Sequence, residues 1–332
     1  VKILFFLIGL ILPVAGLCQQ TTMQAIQIQQ FGGPEVLELH EIPQPIAGVG
    51  ELLLRVHAAA INPVDTSVRA GRAGGLSGAG IPYVPGFDVS GVVSAVGPGV
   101  TGFNIGDEVF AMLDLRRGGG YAEYAIVKES EAALKPTNTS HEEAASIPLV
   151  ALTAWQTLFE IADLQAGQTV LIHAGAGGVG SVAVQLAKWK GARVIATASE
   201  YNHDFLRGIG VDVTVDYRTQ RFEDFAQDVD VVLDPIGGET QVRSLAILKQ
   251  GGTLVSIVGL TPEGRNPDRS DINVISTLVQ PSSSQLAEIA QLIEQGVIRP
   301  IVNYRFPLQD AKLAHEQSET RRSRGKIVLQ IE

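Results

Sequence analysis

The chain has 332 residues, 45% hydrophobic and 18% charged, enough for two domains with cores of their own. Its formal net charge of −10, with no basic stripe to offset it, argues against a nucleic-acid or anionic-membrane partner. Cys18 is the only cysteine, which excludes an internal disulfide and, beyond that position, any cysteine-based zinc site or thiol nucleophile.

Lys2 and the apolar run at 3–12 lead into Pro13, Gly16 and Cys18, the order of an export signal with a cleavage point before Gln19. The run is shorter than the ~20 residues a membrane-spanning helix needs. Residues 1–22 are therefore expected to be a signal peptide, leaving an exported protein (periplasmic or extracellular) with no membrane span. The alternative is a start at Met23 and a cytoplasmic location.

Residues 23–147 read as a β-rich domain. The stretches 51–58 and 89–96 are half-buried strands, punctuated by glycine turns at 32–34, 97–99 and 118–120. Residues 69–80 are glycine-rich without periodicity and form a loop that Pro82-Tyr83-Val84-Pro85 closes. After Pro148 the pattern changes. Apolar strands at 168–173, 193–197, 230–234 and 252–258 alternate with helical stretches, which argues for a doubly wound parallel sheet over 148–283. An amphipathic helix at 285–293 ends at Gly296, and the tail closes on the strand signal Lys326-Ile327-Val328-Leu329. Residues 284–332 are expected to rejoin the first domain and complete it. The fold class is thus α/β, a β-rich domain joined to a Rossmann domain.

Gly175-Ala176-Gly177-Gly178-Val179-Gly180 is a complete G-x-G-x-x-G placed directly after a strand and before a helix, the context in which the motif binds a dinucleotide. Gly175 is read as the tight turn, Gly177 as the point where pyrophosphate nears the backbone, and Gly180 as the close helix–strand contact. The second strand ends Ala196-Thr197-Ala198-Ser199, without the acid that would take an NAD ribose. Ser199 leaves room for a 2′-phosphate and Arg218 is the nearest cation, so NADPH is favoured over NADH. Glu200, one residue on, is the opposing sign.

Several segments then resemble a known family: Asn62-Pro63-Val64-Asp65, Pro82-Tyr83-Val84-Pro85-Gly86-Phe87-Asp88, Gly106-Asp107-Glu108-Val109, Ala151-Leu152-Thr153-Ala154-Trp155 and Arg324-Gly325-Lys326-Ile327-Val328-Leu329. In this order they resemble the zinc-free medium-chain dehydrogenases/reductases, in particular zeta-crystallin-like quinone oxidoreductases and plant alkenal/one oxidoreductases. The resemblance implies a GroES-like substrate domain and a site in the cleft between domains. It also implies a homodimer, and hydride transfer from NADPH to a small quinone or enone. It places Asn62 and Thr153 near the nicotinamide, Val258-Gly259-Leu260 along its ribose and carboxamide, and Ser199, Tyr217 and Arg218 around the 2′-phosphate. Arg324 or Lys326 would reach the cofactor from the tail. Zinc-dependent relatives carry Cys where Asn62 stands and His-Glu where Phe87-Asp88 stand, so no zinc is expected. Tyr83 is the one candidate proton donor, with loop packing as the alternative. Asn62 has its own alternative as a turn cap, Thr153 as a helix residue, and His173 reads as a satisfied core histidine. Two other functions stay open: an enoyl-thioester reductase, and a non-catalytic NADPH-binding sensor or scaffold.

Overall fold

The computed structural model describes residues 21–72 and 80–331. The expected leader (1–22) up to residue 20, and most of the loop expected at 69–80, lie outside the described residues. Among the described residues no helix is long and apolar enough to cross a membrane.

The chain opens with a β1 (Thr22–Gln27) and β2 (Glu38–Pro43) antiparallel pair. β3 (Glu51–Ile61) follows and is the spine of the first domain. Leu52, Leu54 and Val56 alternate into the core, and the run Ala58-Ala59-Ala60 is small enough to be covered on both faces. β3 pairs antiparallel with β4 (Asp88–Val96) along one side. On its other side it pairs with β6 (Tyr124–Lys128) at its start and with the C-terminal strand β15 (Lys326–Gln330) at its end. With β5 (Glu108–Met112), β7 (Ala132–Leu134) and β14 (Val302–Pro307), these strands make one seven-stranded sheet. The tail therefore lies in the sheet of the N-terminal domain. Between β3 and β4 lies the short helix α1 (Pro63–Arg69), and after β7 comes α2 (His141–Ala145).

α3 (Pro148–Trp155) carries the chain into the second domain. There β8 (Thr169–Ile172), β9 (Arg193–Ala198), β10 (Val213–Asp216), β11 (Val229–Asp234), β12 (Leu248–Ser256) and β13 (Asn273–Ser276) form a parallel sheet in the order β10-β9-β8-β11-β12-β13. This is the dinucleotide-binding order, which reverses direction between β8 and β11 and opens a crevice at their carboxyl ends. Val170, Leu171 and Ile172 are completely buried because helices cover both faces, so the strand reads as an unbroken apolar run. α4 (Gly178–Trp189) buries Val182, Gln185 and Leu186, but Trp189 at its end is half exposed, stacks with Trp155 and meets Phe159 edge-on. α5 (His203–Gly208), α6 (Gly238–Leu245), α7 (Pro262–Arg265), α8 (Ser283–Glu294) and α9 (Ala311–Glu319) supply the remaining helices used below. β12 ends at Ser256, two residues before the expected strand end, which leaves Val258 in a loop.

Candidate active site and cofactor groove

β8 delivers the chain to the glycine motif. The left-handed residue of this turn is Ala174 (φ 49°), not Gly175 as the motif suggested. Gly175 is required for room, since a Cβ there would lie 2.8 Å from that of Ala196 on β9. At Gly180 a Cβ would come within 2.4 Å of the Ala174 carbonyl oxygen, so glycine alone lets α4 lie this close to the strand. Gly177 is different. A Cβ there would meet only the Ala174 carbonyl oxygen, at 3.3 Å, so the protein's own packing hardly demands glycine at that point. Its open side faces the N-terminus of α4, where orphan N–H groups and the positive dipole end favour an anion. Gly178 starts the helix beneath the Lys326 stem, and Val179 packs half-buried against the main core. His173 fills the base of the turn as a core histidine: Nδ1 lies 3.1 Å from Thr197 Oγ1 and Nε2 2.9 Å from Ser244 Oγ.

A groove of about 360 Å³ runs from Gly177 past the end of β9, lined among others by Ser199, Asn202, Tyr217, Arg218, Arg321 and Arg322. Asn202 donates through Nδ2 to Ser199 Oγ (3.2 Å) and accepts through Oδ1 from Arg324 Nε (3.0 Å). The Ser199 oxygen thus acts as an acceptor within the protein and keeps its own hydrogen for a ligand oxygen. Arg324 lies over the rings of Tyr201 (5.1 Å) and Phe205 (4.8 Å), so the tail braces the loop after β9. Arg218, Arg321 and Arg322 have no carboxylate partner among the described residues, although Arg218 stacks on the exposed Tyr217 ring at 5.6 Å. Glu200 is exposed and does not line the groove. Arg321 and Arg322, over 120 residues from Ser199 in sequence, are groove residues that no local signal links to it.

The second constellation is buried where the domains meet. Lys326 at the start of β15 sends its stem over Gly178 and its ammonium toward the first domain, away from the groove. Nζ donates to the Ile61 carbonyl (2.8 Å), to Asn62 Oδ1 and to Asp88 Oδ2 (3.3 Å), which uses all three of its hydrogens. Asn62 Nδ2 donates to the same Asp88 oxygen at 2.8 Å, while Asp88 Oδ1 accepts the Leu149 N–H (2.7 Å) in the first turn of α3. Burial pushes the Asp88 pKa up and the Lys326 pKa down, and each opposes the other's shift by its charge. Asn62 also caps α1: its backbone N–H donates to Asp65 Oδ2 at 2.6 Å in a capping box. Burial raises the Asp65 pKa to about 7, against the pull of the Asn62 N–H and Lys326.

Beyond Asp65 the buried polar groups continue outward. Tyr121 hydroxyl lies 3.3 Å from His315 Nε2, and His315 Nδ1 lies 3.1 Å from Arg69 Nη1. Arginine can only donate, so Nδ1 accepts and the imidazole stays neutral, its pKa lowered to about 3 by burial and then by Arg69. Arg69 ends in an ion pair with Glu319 on α9. Tyr83 is almost fully buried, and its hydroxyl has no hydrogen-bond partner among the described residues. Burial, then the nearby Asp65, raises its pKa, so the phenol stays protonated. Thr153 lies inside α3 with its hydroxyl donating to the Leu149 carbonyl (2.7 Å). Val258, Gly259 and Leu260 form the loop after β12, with Val258 half exposed at the carboxyl end of the sheet.

A β-rich domain closed by the chain tail, a six-stranded dinucleotide sheet and a cationic groove at the end of its second strand define a medium-chain dehydrogenase/reductase. Residues 48–137 match the alcohol dehydrogenase GroES-like domain, and residues 209–329 match the family described as zinc-binding dehydrogenase. The chain is 35% identical to 2-methylene-furan-3-one reductase of Solanum lycopersicum, covering 92% of this chain and 79% of that one. It is 34% identical to the chloroplastic NADPH-dependent alkenal/one oxidoreductase of Arabidopsis thaliana, with the same coverages. The quinone oxidoreductase of Coxiella burnetii superposes with a TM-score of 0.88 at 35% identity, covering 94% of this chain and all of that one. The chain belongs to the medium-chain dehydrogenases/reductases, in their quinone and alkenal/one oxidoreductase branch, and is an oxidoreductase. Despite the second family's description, no group of three or more His, Cys, Asp and Glu side chains among the described residues is arranged to hold a metal.

Proposed function

We propose that the protein is an NADPH-dependent reductase of quinones and activated enones that works without a metal. The observation that carries this reading is the groove at the end of β9. Three arginines without an ion pair among the described residues and a serine whose hydroxyl hydrogen is not used there line it, and no acid is among its lining residues. A 2′-phosphate suits such a lining, because charge-assisted hydrogen bonds to arginine are strong and no guanidinium of Arg218, Arg321 or Arg322 forms an ion pair among the described residues, Asp216 meeting Arg218 through its backbone N–H. Two of these cations come from the tail, so the cofactor's adenosine end would be gripped by both domains.

When bound, NADPH supplies a hydride from the nicotinamide C4 to the acceptor. The residues of this chain supply placement, which accounts for much of the acceleration in such reactions. Lys326 and Asp88 fix the Asn62 amide through both of its ends, so its direction is set before any ligand arrives. Tyr83 carries a buried hydroxyl without a hydrogen-bond partner among the described residues, an arrangement that costs about 1–3 kcal/mol and that a ligand oxygen accepting the hydrogen would relieve. Val258 and Ile236, both half exposed at the carboxyl ends of β12 and β11, offer apolar cover that excludes water from the transferred hydride. Without a Lewis acid, substrates already polarised toward hydride fit better than simple ketones.

Two copies are proposed to join through β13, the edge strand of the parallel sheet, where Ile275 and, just beyond, Leu278 are exposed. The decisive experiment is NADPH oxidation against a panel of quinones, enones and enoyl thioesters after dialysis against chelator, with zinc measured on the same sample. Turnover of quinones or enones at full rate in chelator is expected. No turnover of any substrate, or activity lost with one bound zinc per chain, overturns the proposal.

A further inference from the structure

The carboxyl ends of β11 and β12 are joined by a small buried polar knot that neither the glycine motif nor the groove uses. Asp234, the last residue of β11, is completely buried; its Oδ1 accepts the N–H groups of Ile236 (2.9 Å) and Gly237 (2.7 Å). Its Oδ2 accepts from Gln241 Nε2, on α6, at 2.7 Å. Gln241 is also completely buried, and the same Nε2 donates to the Gly259 carbonyl at 2.9 Å while Oε1 accepts the Thr261 N–H at 2.7 Å. Both amide hydrogens and the amide oxygen are thus consumed. The orientation is forced, because a flipped amide would set its oxygen against a carboxylate and a carbonyl. Ser256 adds one more donor to the Gly259 carbonyl, at 2.9 Å.

The two loops held this way are those that carry Ile236 and Val258. They are already in contact: a Cβ on Gly237 would lie 3.1 Å from Val258 Cγ2. Gly237 (φ 71°) and Gly259 (φ 92°) are both in the left-handed region, so neither loop has another residue's local preference to fix its path. A dinucleotide lies across the crevice at the reversal of strand order, and the adenosine groove is at β9, so the nicotinamide end falls toward β11 and β12.

We infer that Gln241 is a positioning residue for the reaction: through Asp234 and Gly259 it sets the separation of the two loops that enclose the nicotinamide. The inference rests on the proposed NADPH reading. It assigns to a residue outside the glycine motif and the groove the task of holding the reactive half of the cofactor while leaving the adenosine half untouched.

Gln241→Glu keeps size and the acceptor for the Thr261 N–H but at neutral pH sets a carboxylate against Asp234 and the Gly259 carbonyl. The expected result at pH 8 is a loss of about tenfold or more in NADPH affinity and in kcat, with affinity for 2′,5′-ADP, which has only the adenosine half, changed less than about twofold. Lowering the pH should restore NADPH affinity in this variant as the new carboxyl takes up a proton and donates to Asp234, a recovery that general damage to the fold would not give. Ser256→Ala removes one bond to the same carbonyl, and the long contact by which Oγ accepts the Val258 N–H (3.4 Å), and should show a smaller loss of the same selectivity; it decides the matter if Gln241→Glu fails to fold. Equal losses for NADPH and 2′,5′-ADP, or no loss for either, overturn the inference. Failure of the unmodified protein to bind NADPH or 2′,5′-ADP would instead overturn the functional reading.

Discussion

Replacing Lys326 with Met tests whether the buried pair at the domain junction is held by charge. The stem survives and still packs on Gly178, but Asp88, with no exposed surface, loses its cation. At 3.3 Å and an effective dielectric of about 20, the lost attraction is on the order of 5 kcal/mol, and breaking a buried pair typically costs about 3–5 kcal/mol. Two donors to Asp88 remain, from Asn62 and Leu149, so the lower end, about 3 kcal/mol, is the expected loss at pH 8. The pH dependence has a definite sign. An acid whose folded pKa lies above its unfolded value destabilises the protein as pH rises between the two. Removing Lys326 raises the pKa of Asp88, and of Asp65, further, so the deficit should shrink on acidification as these carboxylates take up protons. Urea unfolding of Lys326→Met, Asp88→Asn and the double variant at pH 6 and pH 8 gives the coupling energy. The double variant should be more stable than Lys326→Met alone at pH 8. A double variant no better than the single at pH 8, or a deficit that grows on acidification, would refute the reasoning.

Much of the fold was legible because its signals are local. The apolar run Val170–Ile172 is continuous because both faces are covered, and the glycine motif sits between strand and helix where its geometry demands. The edge strand β13 was not seen. Four residues with one half-buried valine, Val274, give no period to detect, and the strand exists because β12 offers it a partner. The same limit applied to the site. Ser199 and Arg218 stand a few residues beyond strand ends and were found, whereas Arg321 and Arg322 reach the groove only because β15 docks on β3. The resemblance implies that Arg324 or Lys326 reaches the cofactor from the tail, but nothing in a sequence tells which way a strand's first side chain turns. Asp88, its partner 238 residues away, decides that. Asp65 stands in a segment that carries the resemblance, yet nothing local in the sequence tells that it is completely buried, which raises its pKa to about 7.

Ser199→Asp should weaken NADPH by tenfold or more and strengthen NADH, as a carboxylate beside Arg218, Arg321 and Arg322 repels the phosphate and accepts ribose hydroxyls. Fluorescence titration of both cofactors measures it, and an unchanged ratio of dissociation constants would mean the groove does not hold the 2′-phosphate. Gly177→Val should abolish binding of either cofactor while thermal unfolding stays near that of the unmodified chain, because a side chain there meets little protein but stands where pyrophosphate approaches; retained NADPH affinity in a folded variant would show that the glycines serve only the turn. The last concerns His173. Ser244 gives its hydrogen to the Thr240 carbonyl, so its oxygen accepts from His173 Nε2–H, and Thr197 donates to Nδ1: the ring is satisfied only when neutral. Burial lowers its pKa from 6.5 to about 4. Above pH 6.5 neither folded nor unfolded chain carries the proton. Between 6.5 and 4 only the unfolded chain takes it up, so stability falls with pH by about 3 kcal/mol from this residue. His315, with a pKa of about 3, acts in the same direction, so the comparison must be with His173→Gln under identical conditions. The stability advantage of the unmodified protein over that variant should shrink by about 3 kcal/mol from pH 7 to pH 4; a difference that stays constant would mean that the buried imidazole is protonated as readily as one in water.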